Sequence, residues 1–150
     1  MAGAAGAAVS GLPSTVLTAA TGGDMLASTR AVGRVVRPRP ASGASLVLAG
    51  GAAHVAISLG WGVVLAAVLP RRHTTLAGAA AGVLIAAIDL GIIGHHLPSI
   101  HALDRKPQLL DHVAYGAVVG AVVSRRRSAA PERGPDGAGS RSGTRRSSSA

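Results

Sequence analysis

Thr75–Leu97 reads TLAGAAAGVLIAAIDLGIIGHHL, and Asp89 is its only formal charge. About 20 apolar residues rising ~1.5 Å each cover a hydrocarbon core of ~30 Å, so the run is long enough to cross a bilayer as a helix. A carboxylate near the middle of such a helix costs roughly 2.5–3.5 kcal/mol on the lower of the available scales. The stretch therefore predicts a membrane span and marks Asp89 as a residue retained at a cost.

The neighbouring stretches read the same way. SLVLAGGAAHVAISLGWGVVLAAVL forms the main part of a span from about Ala44 to Leu69, with no acid or base between Pro40 and Pro70. Pro70, Arg71 and Arg72 end it. The Asp89 span stops at Pro98, and a shorter one from Leu109 to Ser124 closes against Arg125, Arg126 and Arg127. Ala2–Ala20 is uncharged but rich in Ala, Ser and Thr. A cleaved signal peptide would need a basic start and a Leu-rich centre. Neither is present, and the stretch reads as a weakly hydrophobic first span.

Composition supports an all-α, polytopic bundle of about four transmembrane helices. Of the 150 residues, 48% are hydrophobic, 14% are charged, and Trp61 and Tyr115 are the only aromatics. A water-soluble core depends on large side chains for its buried area. Helices in lipid pack instead through small residues. The lack of cysteine excludes disulfides, thiolate catalysis and Cys-type zinc or iron–sulfur sites. No G-x-S-x-G elbow, H-E-x-x-H pair or phosphate-binding G-x-x-x-x-G-K occurs, so the chain reads as no enzyme and implies no cofactor.

Residues 1–124 form the membrane domain in this reading. Residues 125–150, rich in Arg, Ser and Gly, form a disordered basic tail. With Arg125, Arg126 and Arg127 beside a span end, the tail points to anionic headgroups rather than nucleic acid. Between the first two spans, Arg30, Arg34 and Arg37 recur at i, i+4 and i+7. They mark either a short helix in the headgroup layer or a solvated linker. Four spans put the N-terminus, the Arg71–Arg72 turn and the tail on one side, with nine bases against six on the other. The tail side is then cytoplasmic, in the inner membrane of a bacterial cell.

The polar residues within the spans form a candidate seam: His54, Ser58, Asp89, His96, Asp111, His112 and Tyr115. His54 and Asp89 lie at similar depth, on the order of 12–15 Å from the same side, and predict a hydrogen-bonded pair. His54, Ser58 and Trp61 share one helical stripe. Gly78, Gly82, Asp89 and His96 share another, and Gly116 and Gly120 repeat the small-xxx-small spacing beside Asp111 and Tyr115. Asp111, placed just inside the last span, is expected to cap that helix's own free amides.

These residues admit three readings. The leading one is an accessory or interaction subunit whose seam is structural. The second is a proton- or ion-coupled transport component in which His54 and Asp89 titrate. The third is a metal- or haem-binding membrane protein using His96 and His112. The i, i+3 or i, i+4 histidine pair of a helical metal site is missing, and His95 and His96 project about 100° apart. The lipid bilayer is the partner common to all three, and a homo-oligomer or another membrane protein is the protein partner.

GLPSTVLTAATGGD (Gly11–Asp24), GGAAHVAISLGWG (Gly50–Gly62), the Pro70–Arg72 turn, AAIDLGIIG (Ala86–Gly94) and DHVAYGAVVG (Asp111–Gly120) together resemble a family of small, uncharacterised integral membrane proteins of actinobacterial type, a domain of unknown function. The likeness runs from Gly3 to Val123, and DHVAYG is its most specific part. It implies four membrane helices and carries no established catalytic residues.

Overall fold

Pro13 divides the first apolar stretch. It has no amide hydrogen and its ring crowds the preceding turn, so a helix cannot run through it undisturbed. In the computed structural model, which describes residues 2–129, the stretch is two nine-residue helices, α1 (Ala2–Ser10) and α2 (Leu12–Ala20), meeting at Gly11. The single rod expected over Ala2–Ala20 is thus corrected to a broken one. Each half is only ~14 Å long, about half of a hydrocarbon core.

Every regular element among the described residues is helical. α3 (Ala27–Val36) precedes the long α4 (Gly43–Val68), whose start is capped by the Ser42 hydroxyl accepting from the Ser45 N–H at 3.3 Å. A turn with His73 in the left-handed region, at φ 53°, leads into α5 (Thr74–Ala86). α5 continues as a π-helical turn, Ala87–Ile93, and a 3₁₀ turn, Gly94–His96. The short α6 (Pro98–His101) leads to α7 (Arg105–Ala129).

Two helices, Gly43–Val68 and Thr74–His96, are long and apolar enough to cross a membrane. α7 is long enough but carries charge at both ends. It also starts earlier than Leu109, because Asp104 accepts the Lys106 N–H at 3.0 Å and acts as its N-cap. At its other end α7 includes Arg125, Arg126 and Arg127, which were expected in the disordered tail. The remainder of that tail, residues 130–150, lies outside the described residues.

Glycines set the packing. α5 and α7 run antiparallel with Gly78 against Gly116 and Gly120, and Gly82 against the backbone of His112 and Val113. A methyl group on Gly78 would collide with the Gly116 carbonyl. α1 lies between α4 and α7, Gly3 touching Ser58 and Gly62, and Gly6 meeting the Tyr115 ring and Val119. α3 packs Gly33 on Leu46 and takes Gly50 of α4 against Thr29. This helix forms as one of the two readings allowed, its small face laid on α4 and Arg34 and Arg37 exposed.

A small core of Leu65, Leu69, Ile85, Tyr115, Val119 and Val123 fills the centre of one end. At that end Arg127 reaches across to α4. Its guanidinium donates to Leu69 O at 2.9 Å, Pro70 O at 3.1 Å and Ala66 O at 3.0 Å. Ala66 O and Leu69 O are carbonyls that the helix C-terminus leaves without partners, Pro70 O lies just past it, and a cation there also meets the negative end of the dipole. Arg127 is therefore committed to α4, while Arg125 and Arg126 are exposed. The N-terminus of α1, the α4–α5 turn and the C-terminus of α7 share this end.

The outward faces are apolar. Leu48, Val63 and Leu76 leave 75%, 73% and 72% of their surface open, and Val68, Leu84 and Ile92 follow closely. Patches of this kind mark surfaces that meet something other than water.

Candidate functional site

α4 and α5 are joined by a tight turn and share the core at that end, but α5 packs chiefly on α7 and not on α4. α1 and α7 stand behind the gap, and α3 with the α6 turn lies across one end. The result is a cavity of about 410 Å³ among the helices. Its apolar wall includes Val32, Ile57, Trp61, Ile85, Ile93 and Leu97. Its polar wall gathers most of the seam: His54, Ser58, Asp89, Asp111, His112 and Tyr115, joined by Ser10, Ser14 and Gln108.

Asp89 and His112 face each other, with Oδ2 and Nε2 3.4 Å apart. The other ring nitrogen, Nδ1, lies 2.7 Å from the Gln108 carbonyl. A carbonyl only accepts, so Nδ1 carries a hydrogen. Nε2 then completes its contact with Asp89 in one of two ways. It donates, as imidazolium, to a carboxylate, or it accepts, as neutral imidazole, from a carboxylic acid. Both forms hold a single proton between the two groups and leave the pair uncharged overall. Burial of an unpaired ion is what this avoids.

The partner assignment corrects the pairing expected from depth. His54 does not bond Asp89. Its Nε2 lies 3.3 Å from Ala7 O and 3.2 Å from Ser10 Oγ, which ties α4 to α1. Depth was informative, since both residues line the same cavity, but azimuth was not. α1 stands beside His54, and α7 stands beside Asp89.

Asp111 is likewise reassigned. It is the seventh residue of α7, beyond the first turn, and its Oδ1 accepts the Ser14 N–H at 2.8 Å. That amide is freed by the Gly11–Pro13 break, so a side chain of α7 caps α2 in place of its own helix. Tyr115 donates its hydroxyl to the Ser58 carbonyl and braces α7 against α4.

His96 lies outside the seam and is exposed. In an α-helix the seven residues from Asp89 to His96 return nearly to the same face at roughly 100° each. The π-helical turn over Ala87–Ile93 breaks that count, because i→i+5 bonding advances each residue by a smaller angle. The His95 ring packs edge-on against His96 at 5.5 Å and His101 at 5.6 Å on the exposed turn. Among the described residues no three His, Cys, Asp or Glu side chains converge as metal donors, and His96 and His112 do not meet.

No family model, curated protein or solved structure matches the chain. Its chemistry rests on this geometry alone.

Ser10, Ser14 and Gln108 were not singled out from sequence. A usable signal existed for the last of these. Asp104 followed by Arg105, Lys106 and Pro107 is an N-cap with proline in the first turn. Reading it would have started α7 four residues earlier and brought Gln108 and His112 onto one stripe at i, i+4.

Proposed function

We propose that this chain is a four-span membrane protein that binds a small molecule inside its helix bundle, with Asp89 and His112 holding one proton at the wall of the site. The observation that carries the reading is the cavity between α4 and α5. A purely structural seam would close on itself, whereas here the polar groups border open volume within the 300–1,000 Å³ range of small-molecule sites. The earlier proton-coupled reading survives with His112 replacing His54 as the partner of Asp89. The chain acts in this reading as a binding or transport component, not an enzyme.

Four crossings are supported by the antiparallel order of α1–α2, α4, α5 and α7 and by the open apolar faces of α4 and α5. The exposed Arg71, Arg72, Arg125 and Arg126 at one end favour that end as cytoplasmic, in a bacterial inner membrane. Arg125 and Arg126 are free for anionic headgroups, Arg127 much less so. The resemblance to small four-helix membrane proteins of actinobacterial type belongs to the same proposal.

Gly51 supplies a clean test. It lines the cavity, and a Cβ built on it meets nothing within 4 Å. Gly51→Phe is therefore expected to reduce the open volume while starting from a position free of helix contacts. In lipid nanodiscs, wild type is expected to bind at least one hydrophobic fluorescent probe, and Gly51→Phe to lose it while unfolding at the same temperature. Equal binding by both proteins, or by neither, returns the chain to an accessory-subunit role.

A further inference from the structure

Resting on that reading of the cavity, we infer that its ligand is a lipophilic organic cation, taken sideways from the bilayer between α4 and α5 in exchange for the proton shared by Asp89 and His112. The charge inventory comes first. Asp89 and Asp111 are the only formally charged side chains among the lining residues, and no Lys or Arg reaches the cavity. Arg30 is turned to Asp24, and Arg127 to the end of α4. The groups facing the Asp89–His112 pair from the surrounding helices are His54 of α4 and Asp111 and Tyr115 of α7. α1, α2 and α3 add only hydroxyls and apolar groups, such as Ser10, Ser14 and Ser28.

Electroneutrality then selects the ligand. The pair with its one proton has no net charge. An anion would bring uncompensated charge into a site already lined by two acids, which is expensive in a low-dielectric interior. A neutral molecule would leave the proton in place. A cation can replace it: with that one proton gone, from whichever partner held it, Asp89 is a carboxylate facing the ligand and His112 is a neutral imidazole. His112 keeps its Nδ1–H on Gln108 while the proton held between Nε2 and Oδ2 leaves to water. Charge inside the site is unchanged, and one proton leaves for each cation bound.

The apolar wall suits the rest of such a molecule. Trp61 stands at the cavity, and an aromatic face attracts an organic cation once water is excluded. The weak α4–α5 packing beyond the Leu65–Leu69 core offers the way in. Its edges are Ile57 and Trp61 on one side and Ile85 and Ile93 on the other, an apolar border between lipid and site.

Tetraphenylphosphonium and tetraphenylborate test the idea directly, being alike in shape and opposite in charge, with triphenylphosphine oxide as a neutral probe. In nanodiscs the phosphonium should bind, tighten by about tenfold per pH unit while the pair titrates, and release about one proton per cation in weakly buffered solution. The borate should not compete. Asp89→Asn should weaken phosphonium binding at least tenfold and flatten its pH dependence, with retained binding of the phosphine oxide as the sign of an intact fold. Equal binding of both ions, pH-independent phosphonium binding, or no proton release overturns the inference while leaving the cavity reading in place. If none of the three probes binds and Gly51→Phe changes nothing, the cavity reading falls as well. The wild-type arms decide the matter even if Asp89→Asn does not fold.

Discussion

The two sides of α5 are built from opposite materials. Toward α7 it presents Gly78 and Gly82, and the backbones meet without room for a methyl group. Toward α4 it presents Ile85 and Asp89, and the two helices meet through the core at the Leu65–Leu69 end while the cavity lies between them farther along. In lipid the hydrophobic effect does not press helices together, so association follows close backbone approach and polar contacts. One helix therefore has a sealed face and an open face, and the glycine positions decide which is which. In the proposed membrane setting a cavity needs no special architecture. It arises where small residues are withheld.

The largest test of this contrast lies in the sealed contact. Gly116→Leu drives a side chain into the Gly78 carbonyl, and destabilisation at or above the upper end of the ~1–3 kcal/mol typical of overpacking is expected. Thermal unfolding in detergent would measure it. Gly60→Ala is the matched control, because nothing lies within 4 Å of its added carbon. No loss of stability is expected there, and a loss as large as that of Gly116→Leu would break the assignment of sealed and open faces.

At the shared end of the bundle, Arg127→Ala removes three hydrogen bonds and a cation from the end of α4. A cost of about 1–2 kcal/mol follows, read in the same unfolding assay. The paired variant Arg125→Ala/Arg126→Ala should cost under ~0.5 kcal/mol, since neither side chain is buried. If both variants cost the same, the α4 cap is not a stabilising contact. Tyr115→Phe removes one hydrogen bond to Ser58 and should cost about 1 kcal/mol.

The open side predicts the smallest change in stability. Asp89→Asn exchanges one interhelical polar contact for another, so it should shift stability by less than ~1 kcal/mol. In the proposed function its effect falls on ligand binding and pH response. A loss of several kcal/mol would mean that the Asp89–His112 contact is chiefly structural, as the leading sequence reading had it.

Period and composition were legible along the chain. The limits of the two apolar helices, the small-residue stripes of α5 and α7, and the cavity-lining stripe of His54, Ser58 and Trp61 all follow from repeating patterns. What misled was interruption of the period. Pro13 freed an amide that drew Asp111 across to α2, and the π turn carried His96 off the Asp89 stripe. The Asp89 partner was missed for another reason: depth along an axis can be counted from sequence, but which neighbour stands alongside cannot. Arg127 shows the same limit, as a basic residue next to a span looks alike whether it meets lipid or a helix end.

The π-helical turn over Ala87–Ile93 has a consequence for how this protein can vary. Each of its rings encloses one residue more than an α-helical ring, so removing one residue there can restore an ordinary helix. Thr74–Ala86 would keep its seat on α7, and the helix would still end near Pro98. Elsewhere in α5 or α7 a one-residue deletion would turn every glycine after it away from its partner. The stretch holding the cavity acid is thus the place in this helix where chain length is slack, where insertion or deletion could re-aim a binding group without unpacking the bundle.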